Sequence, residues 1–308
     1  MFSMLFWKTK LYISKYKWVR RVYWRWSRSN RNVHLNQSNW ISSRWTNPSS
    51  QSKVKSIKYH VTTICVDHFS KLTYVHFSES TIAKKAVEVK NLFEQYVAKF
   101  GINIQKYHAE NGAFNTRVFK ESIIAASQSI AFSGVDAHHQ NGIAENMIKT
   151  VTYCARSMLL NSMIFWTDVI TTELLPYAIK LATDVGNNCH DDSGLTALES
   201  FLSTKGHARV KQFHTFGSPC FILDPKLCQN KYIPKLTPRS IQAVYLVISP
   251  QHAGSVSLVL NLKTGLISPQ FQIVLDNYFT KTTARTTKKI PDNQDNLFKT
   301  LVNCQQKN

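Results

Sequence analysis

Between residues 60 and 185, short apolar runs alternate with longer stretches in which apolar residues recur every three or four positions. The short runs are rich in β-branched and aromatic residues and predict four strands, at 61–69, 72–77, 102–108 and 129–134. The longer stretches predict four helices, at 82–100, 115–126, 141–160 and 166–184. Strands and helices in this order are typical of a mixed α/β fold built in layers.

The pattern changes on both sides of this region. Residues 186–212 are polar and punctuated by glycine, which predicts a linker. Residues 213–280 contain short β-branched runs separated by Pro, Gly and Asn, the pattern of a small β-barrel or sheet. Residues 281–308 are polar and basic, so we expect a solvated tail. The sequence therefore predicts an α/β core at 58–185 followed by a β-domain at 213–280.

Charge identifies a further segment at the start of the chain. The chain carries 38 Lys and Arg against 18 Asp and Glu, a net charge of +20, which favours a polyanionic partner, most often nucleic acid. Residues 1–58 hold 13 of the basic residues and no acidic one. We interpret 1–57 as a poorly ordered basic extension. The alternative is an arm whose interleaved Trp, Tyr, Arg and Lys side chains stack on and pair with nucleic acid.

Composition excludes several classes of protein. The 43% hydrophobic content argues against a wholly disordered chain. No apolar run approaches the roughly 18 residues of a membrane-spanning helix, so we expect no membrane association. The six cysteines are far apart and form no CxxC pair, which indicates neither a zinc site nor a disulfide framework.

Three carboxylates are candidates for chemistry. Asp67 lies in a strand that is apolar on both faces, Glu110 follows the third predicted strand at the Asn111-Gly112 turn, and Glu145 lies in the first turn of the long helix. Carboxylates from two strand ends and a helix start are the ligands that a two-metal phosphoryl-transfer site needs, with Mg²⁺ or Mn²⁺. Spacing alone does not establish such a site. For Asp67 the alternative is a strand-end carboxylate that bonds the next turn.

Three motifs in this order resemble the integrase core of copia-type retrotransposons: CVDHFSKLTYVHF, YHAENGAF and GVDAHHQNGIAEN. The resemblance covers about residues 58–280, including IPKLTPRSIQAVYLVISP near the predicted β-domain. It implies an RNase H-like mixed sheet flanked by helices, then an SH3-like β-domain. It also implies that Asp67, Glu110 and Glu145 are the catalytic Asp-Asp-Glu triad and bind two Mg²⁺ or Mn²⁺ ions.

The activity that the resemblance implies is metal-dependent DNA integration, by 3′-end processing and strand transfer. The expected partners are the element's DNA ends, target DNA and further copies of the chain, and the expected location is the nucleus. The DNA contacts expected near the site come from Gln140, Asn141, Lys149 and Arg156. For Gln140 and Asn141 of the Gln-Asn-Gly motif, the alternative is that they position the start of the long helix. On the long helix, an apolar stripe is expected to face the core: Ile143, Met147, Val151, Cys154 and Met158.

The chain also departs from the family pattern. Glu110 stands where the family carries Asp, and a shift of about 1 Å in a catalytic group can lower a rate roughly 10²-fold. Residues 1–57 contain no cysteine for the zinc module that normally precedes the core. Two functions therefore stay open: an integrase weakened at its second triad position, or a catalytically inactive nucleic-acid-binding remnant of a transposable element.

Overall fold

The computed structural model divides the chain into two compact units. It describes residues 31–38, 59, 61–134, 141–166, 169–191, 193–206, 212–224, 227, 232 and 234–280. Within the described ranges, residues 31–38, 59–148 and 190–206 belong to the first unit, and residues 149–189 and 212–280 belong to the second. No helix in these ranges combines the length and apolar character needed to cross a bilayer.

The first unit is built on a mixed five-stranded sheet with the order β3-β2-β1-β4-β5. Its strands are β1 (Arg31–Ser38), β2 (Val61–Asp67), β3 (Thr73–Ser78), β4 (Ile104–Ala109) and β5 (Ser129–Phe132). The central strand β1 runs antiparallel to β2 and parallel to β4. Every residue of β2 is buried, which explains why this strand is apolar on both faces.

Strand β1 lies inside the segment that the sequence predicts to be a poorly ordered extension, so that boundary is wrong for residues 31–38. Val33 and Leu35 are 0% and 1% exposed and belong to the core of the first unit. Their alternation is too short, and too rich in His and Asn, to stand out as a strand in the sequence. Residues 1–30 and 39–57 of the predicted extension lie outside the described residues.

Helices complete the first unit. Helices α1 (Ala83–Ala98) and α2 (Arg117–Ala125) agree with the predicted positions, and Phe93 and Phe119 are buried in the core. Helix α3 (Gly142–Phe165) follows; its residues 142–148 group with this unit and the rest with the second. Its buried residues include Ala144, Val151, Ala155 and Leu159, whereas the predicted core residue Cys154 is exposed. The buried face of the helix includes small residues next to the predicted apolar stripe. The periodicity of apolar residues alone did not show which of these faces is buried.

Two further predicted boundaries differ from the structure. Helix α4 (Leu175–Asn188) begins nine residues after the predicted start at 166, because Pro176 fits only a first helical turn. The predicted linker contains helix α5 (Ala197–Leu202), which begins with a capping box between Thr196 and Glu199. Phe201 of α5 is 0% exposed and packs in the core of the first unit, so this segment is part of the fold.

The second unit contains a separate antiparallel sheet with the order β10-β6-β7-β8-β9. Its strands are β6 (Pro219–Leu223), β7 (Ser240–Ile248), β8 (Ser257–Asn261), β9 (Ile267–Gln270) and β10 (Ile273–Leu275). Helix α4 packs against β7 within the same unit. The structure thus confirms the predicted fold class: a mixed sheet with helices, followed by a small β-domain.

One glycine of the second unit is fixed by two constraints. Gly217 has φ +74°, in the left-handed region, and a Cβ there would lie 2.5 Å from Ser162 Oγ and 2.6 Å from Ser162 Cβ. Ser162 cannot easily move, because its hydroxyl is shared between the Phe216 and Met158 carbonyl oxygens, at 2.5 and 2.8 Å. A side chain at position 217 therefore meets both backbone strain and a fixed neighbour.

We expect Gly217→Ala to lower the free energy of unfolding by about 3 kcal/mol, the sum of left-handed strain and overpacking. The matched control is Gly101→Ala, because Gly101 has φ +71° but no atom within 4 Å of the position that a Cβ would take. Gly101→Ala should lower the free energy of unfolding only by the left-handed strain, about 1 kcal/mol. Urea unfolding of both variants measures the difference, and equal losses would show that the Ser162 contact is relieved without cost.

Candidate functional site

Asp67 ends strand β2 and is 1% exposed. Its Oδ2 atom accepts hydrogen bonds from the Ser70 amide and hydroxyl, at 2.8 and 2.7 Å. The same atom lies 3.4 Å from Nη1 of Arg31. Its Oδ1 atom is buried and has no hydrogen-bond partner among the described residues. The carboxylate therefore bonds the turn that follows its strand, the alternative that the sequence left open.

Arg31 explains why a carboxylate is buried here. The guanidinium is 4% exposed on β1, its Nη2 donates to the Phe201 carbonyl oxygen at 2.6 Å, and its Cζ lies 4.8 Å from the centre of the Phe201 ring. Burial lowers the pKa of Arg31, and the charge of Asp67 opposes that shift. Asp67 thus compensates a buried cation, and the pair ties β1, β2 and α5 together.

The sheet register separates Asp67 from Glu110. Asp67 pairs with Val33 on β1, and Val33 pairs with Tyr107 on β4, three residues before Glu110. At about 3.3 Å per residue and 4.8 Å per strand spacing, the two Cα atoms are about 14 Å apart. A shared pair of metal ions about 4 Å apart would require both side chains to extend almost fully toward each other, whereas Oδ2 of Asp67 is held by Ser70 and Arg31.

Glu110 and the start of α3 lie at the same end of the sheet. Leu35 on β1 pairs with Ala109, the residue before Glu110. The Leu35 carbonyl oxygen accepts a hydrogen bond from Nδ2 of Asn141, immediately before α3, at 3.1 Å. Glu145 lies in the first turn of that helix and is half-buried. The structure therefore brings together the elements that carry two of the three predicted ligands.

Asn141 has a positioning role. It is 0% exposed, and its Oδ1 lies 3.2 Å from Nδ1 of His34 while its Nδ2 bonds Leu35. Its side chain has no exposed surface for the DNA contact that the sequence predicted; it anchors the start of α3 to the central strand. This was the second interpretation that the sequence allowed for the Gln-Asn-Gly motif.

The other predicted DNA contacts have different surroundings. Lys149 is exposed on α3. Arg156 is half-buried, and its Nε is buried with no hydrogen-bond partner in the described part of the chain. Gln140 lies outside the described residues. Lys149 is thus the predicted contact whose ammonium is available to a phosphate.

A cluster of three histidines lies where β1, β4 and the end of β2 meet, and the sequence did not predict it. Nε2 of His34 lies 2.9 Å from Nδ1 of His68. The ring centroids of His34 and His108 are 5.0 Å apart, and Nε2 of His108 lies 3.3 Å from Ser133 Oγ. Burial lowers the pKa of His34 to about 4 and also lowers that of His68. The cluster depends on β1, so no pattern within 58–185 could reveal it.

These observations do not fit the implied two-metal centre. Among the residues that the structure describes, no group of three or more His, Cys, Asp or Glu side chains is arranged to hold a metal ion. Oδ2 of Asp67 bonds Ser70 and faces Arg31, and Asp67 lies three residues along the sheet from Glu110, on the other side of β1. We therefore derive no metal-dependent step from the predicted triad.

Comparison with known proteins finds chains of similar structure but no family to which this chain can be assigned. No protein-family model and no curated protein matches the sequence. A chain of the simian T-cell lymphotropic virus intasome in complex with PP2A regulatory subunit B56 gamma is 13% identical, with a TM-score of 0.42 over 79% of each chain. The HTLV-2 integrase catalytic core domain, solved with magnesium as a dimer, is 17% identical, with a TM-score of 0.39 over 56% of this chain and 96% of that one. At these values the likeness assigns neither family nor function.

We expect Asp67→Asn to destabilise the protein by about 3 kcal/mol, because it leaves the buried Arg31 cation without its counter-charge. A purely catalytic carboxylate would show little loss. The control is Glu121→Gln: the ion pair of Glu121 with Arg117 is 57% and 90% exposed, and such pairs contribute about 0–1 kcal/mol. Denaturant unfolding measures both variants, and an Asp67→Asn protein as stable as the control would contradict the structural role.

Proposed function

We propose that the chain is a DNA-binding protein with an integrase-like core in which the predicted triad does not perform strand transfer. The observation that carries the proposal is the engagement of Asp67. Oδ2 of this buried carboxylate accepts two bonds from Ser70 and compensates Arg31, Oδ1 is enclosed in the interior, and the sheet register holds Asp67 three residues along the sheet from Glu110. Of the two functions that the sequence left open, this favours the nucleic-acid-binding remnant.

Charge supports DNA as the partner. The net charge of +20 favours a polyanion, and exposed basic side chains such as Lys149, Lys235, Arg239 and Lys263 can approach phosphates. Binding of this kind releases counterions and carries little sequence preference. The proposed setting is the nucleus, where chromosomal DNA is available, and a second copy of the chain is a proposed further partner.

An active integrase is the second candidate, and one observation favours it. Asn141 anchors the start of α3 on β1 beside Ala109, so Glu110 and Glu145 are carried to one end of the sheet. Activity would require Mg²⁺ or Mn²⁺ and a third carboxylate other than Asp67. On β1, the residue that follows the Leu35–Ala109 pair is Asn36, an amide. Asn36→Asp is therefore the substitution that tests whether this end lacks only a carboxylate.

We expect the full chain to bind duplex DNA with an affinity that falls steeply between about 50 and 200 mM salt, as phosphate contacts require. Lys149→Ala should weaken binding to all sequences alike and reduce the salt slope by about one. Fluorescence anisotropy on two unrelated duplexes measures this, with Lys149→Arg as the matched control that keeps the charge. Binding that is insensitive to salt would contradict a phosphate-directed interaction.

In a strand-transfer assay with Mg²⁺ or Mn²⁺ and oligonucleotide ends, we expect no joined product from the native chain. Glu145→Gln should not weaken DNA binding, because it removes a negative charge and no phosphate contact. Joining by the native chain that Glu145→Gln abolishes would establish the enzyme instead. Joining that appears only in Asn36→Asp would show an integrase site silenced at that position.

A further inference from the structure

The hydrogen bonds of Asn141 determine the protonation of His34. Asn141 Nδ2 donates to the Leu35 carbonyl oxygen at 3.1 Å, so Oδ1 is the atom facing His34. An amide oxygen only accepts, and Nδ1 of His34, 3.2 Å away, must therefore carry the proton. In the neutral imidazole the lone pair then lies on Nε2, which faces His68 at 2.9 Å.

His68 completes a pair of nitrogen atoms, one on strand β1 and the other on the turn that follows β2. Its Nδ1 donates to the lone pair of His34 Nε2, and its ring stacks on His34 with centroids 5.2 Å apart. His34 is 7% exposed, whereas His68 is exposed at the start of the turn after β2. One ring is thus held in the interior of the protein, and the other belongs to an exposed residue.

We propose that His34 Nε2 and His68 Nδ1 form a binding site for a borderline transition-metal cation of the Zn²⁺, Ni²⁺ or Cu²⁺ class. The cation replaces the proton between the two nitrogens. His68 loses its Nδ1 proton to solvent and takes one up at Nε2, so both rings stay neutral and the metal is held by two imidazoles, with water in its other positions. This site is distinct from the predicted carboxylate triad and does not depend on DNA binding.

The surroundings fit this class of metal. Imidazole suits Zn²⁺, Ni²⁺ and Cu²⁺, whereas Mg²⁺ prefers oxygen ligands. Asn141 supplies the partner that a ligating histidine commonly has on its second nitrogen, which fixes the tautomer and ring orientation. Burial lowers the pKa of His34 and of His68, which favours the neutral form of each ring, the form that ligates a metal.

The distances require a small adjustment. Metal–nitrogen bonds of about 2.0–2.1 Å at a tetrahedral angle separate the two nitrogens by about 3.3 Å, against 2.9 Å here. His68 can supply the difference because it lies exposed at the turn, whereas His34 is held by Asn141. Lys71 lies nearby and donates to the His68 carbonyl oxygen at 2.6 Å. Its positive charge opposes the metal and limits the affinity that two neutral ligands provide.

Calorimetric titration of the full chain with ZnCl₂ tests the site, and Cu²⁺ EPR reports the number of nitrogen ligands. His68→Ala is the deciding variant, because an exposed side chain can be removed with little effect on folding. We expect it to weaken the site at least tenfold and to remove one nitrogen from the EPR signal. His34→Ala should do the same, with its melting temperature measured in parallel to show that the variant is folded.

Matched controls separate this site from other metal-binding residues. His252→Ala removes an exposed histidine of the second unit and should leave the titration unchanged. His138→Ala/His139→Ala removes the adjacent histidine pair seen in the sequence and should leave the assigned site intact. Asn141→Leu should weaken binding while the two nitrogen ligands stay visible by EPR. Affinity that survives His68→Ala, or is lost with His138 and His139 instead, would overturn the proposal.

Discussion

The first unit depends on a buried ion pair. Arg31 and Asp67 are 4% and 1% exposed, and neither charge would be tolerated there alone. Arg31 also donates to Phe201, so one guanidinium joins the central strand, its antiparallel neighbour and helix α5. A chain segment more than 130 residues after β2 is thereby fixed to the same corner of the sheet. The ion pair therefore fixes the position of β1, the turn at Ser70 and the packing of α5.

A second link fixes helix α3 to the central strand. Asn141 uses its amide nitrogen on the Leu35 backbone and its amide oxygen on His34, so the start of α3 is held at two points. The same contact determines which nitrogen of His34 is free to meet His68. A single buried amide therefore sets both the position of the helix that carries Glu145 and the chemistry of the histidine pair.

The sequence predicted correctly the elements in which the pattern of apolar residues extends over enough positions to be recognised. Strand β2 and helices α1 and α2 agree with prediction, since β-branched runs and three-to-four spacing are strong local signals. Strand β1 has only Val33 and Leu35 as buried apolar residues and follows a long basic segment, so nothing local distinguishes it. Its place in the sheet comes from pairing with β2 and β4, which is a tertiary effect.

The role of Asp67 in the candidate site likewise depends on a tertiary contact that the local sequence does not show. Burial of Asp67 in an apolar strand follows from its neighbours in the sequence, but a metal ligand and a structural carboxylate leave the same local pattern. The two are separated by the partner, and that partner, Arg31, lies 36 residues earlier in a segment with no predicted fold. Once Arg31 is in place, Asp67 is held in the interior by a cation that the protein itself provides. A functional assignment for a buried carboxylate therefore has to begin by asking which charge compensates it, because that requirement comes before any reaction it could perform.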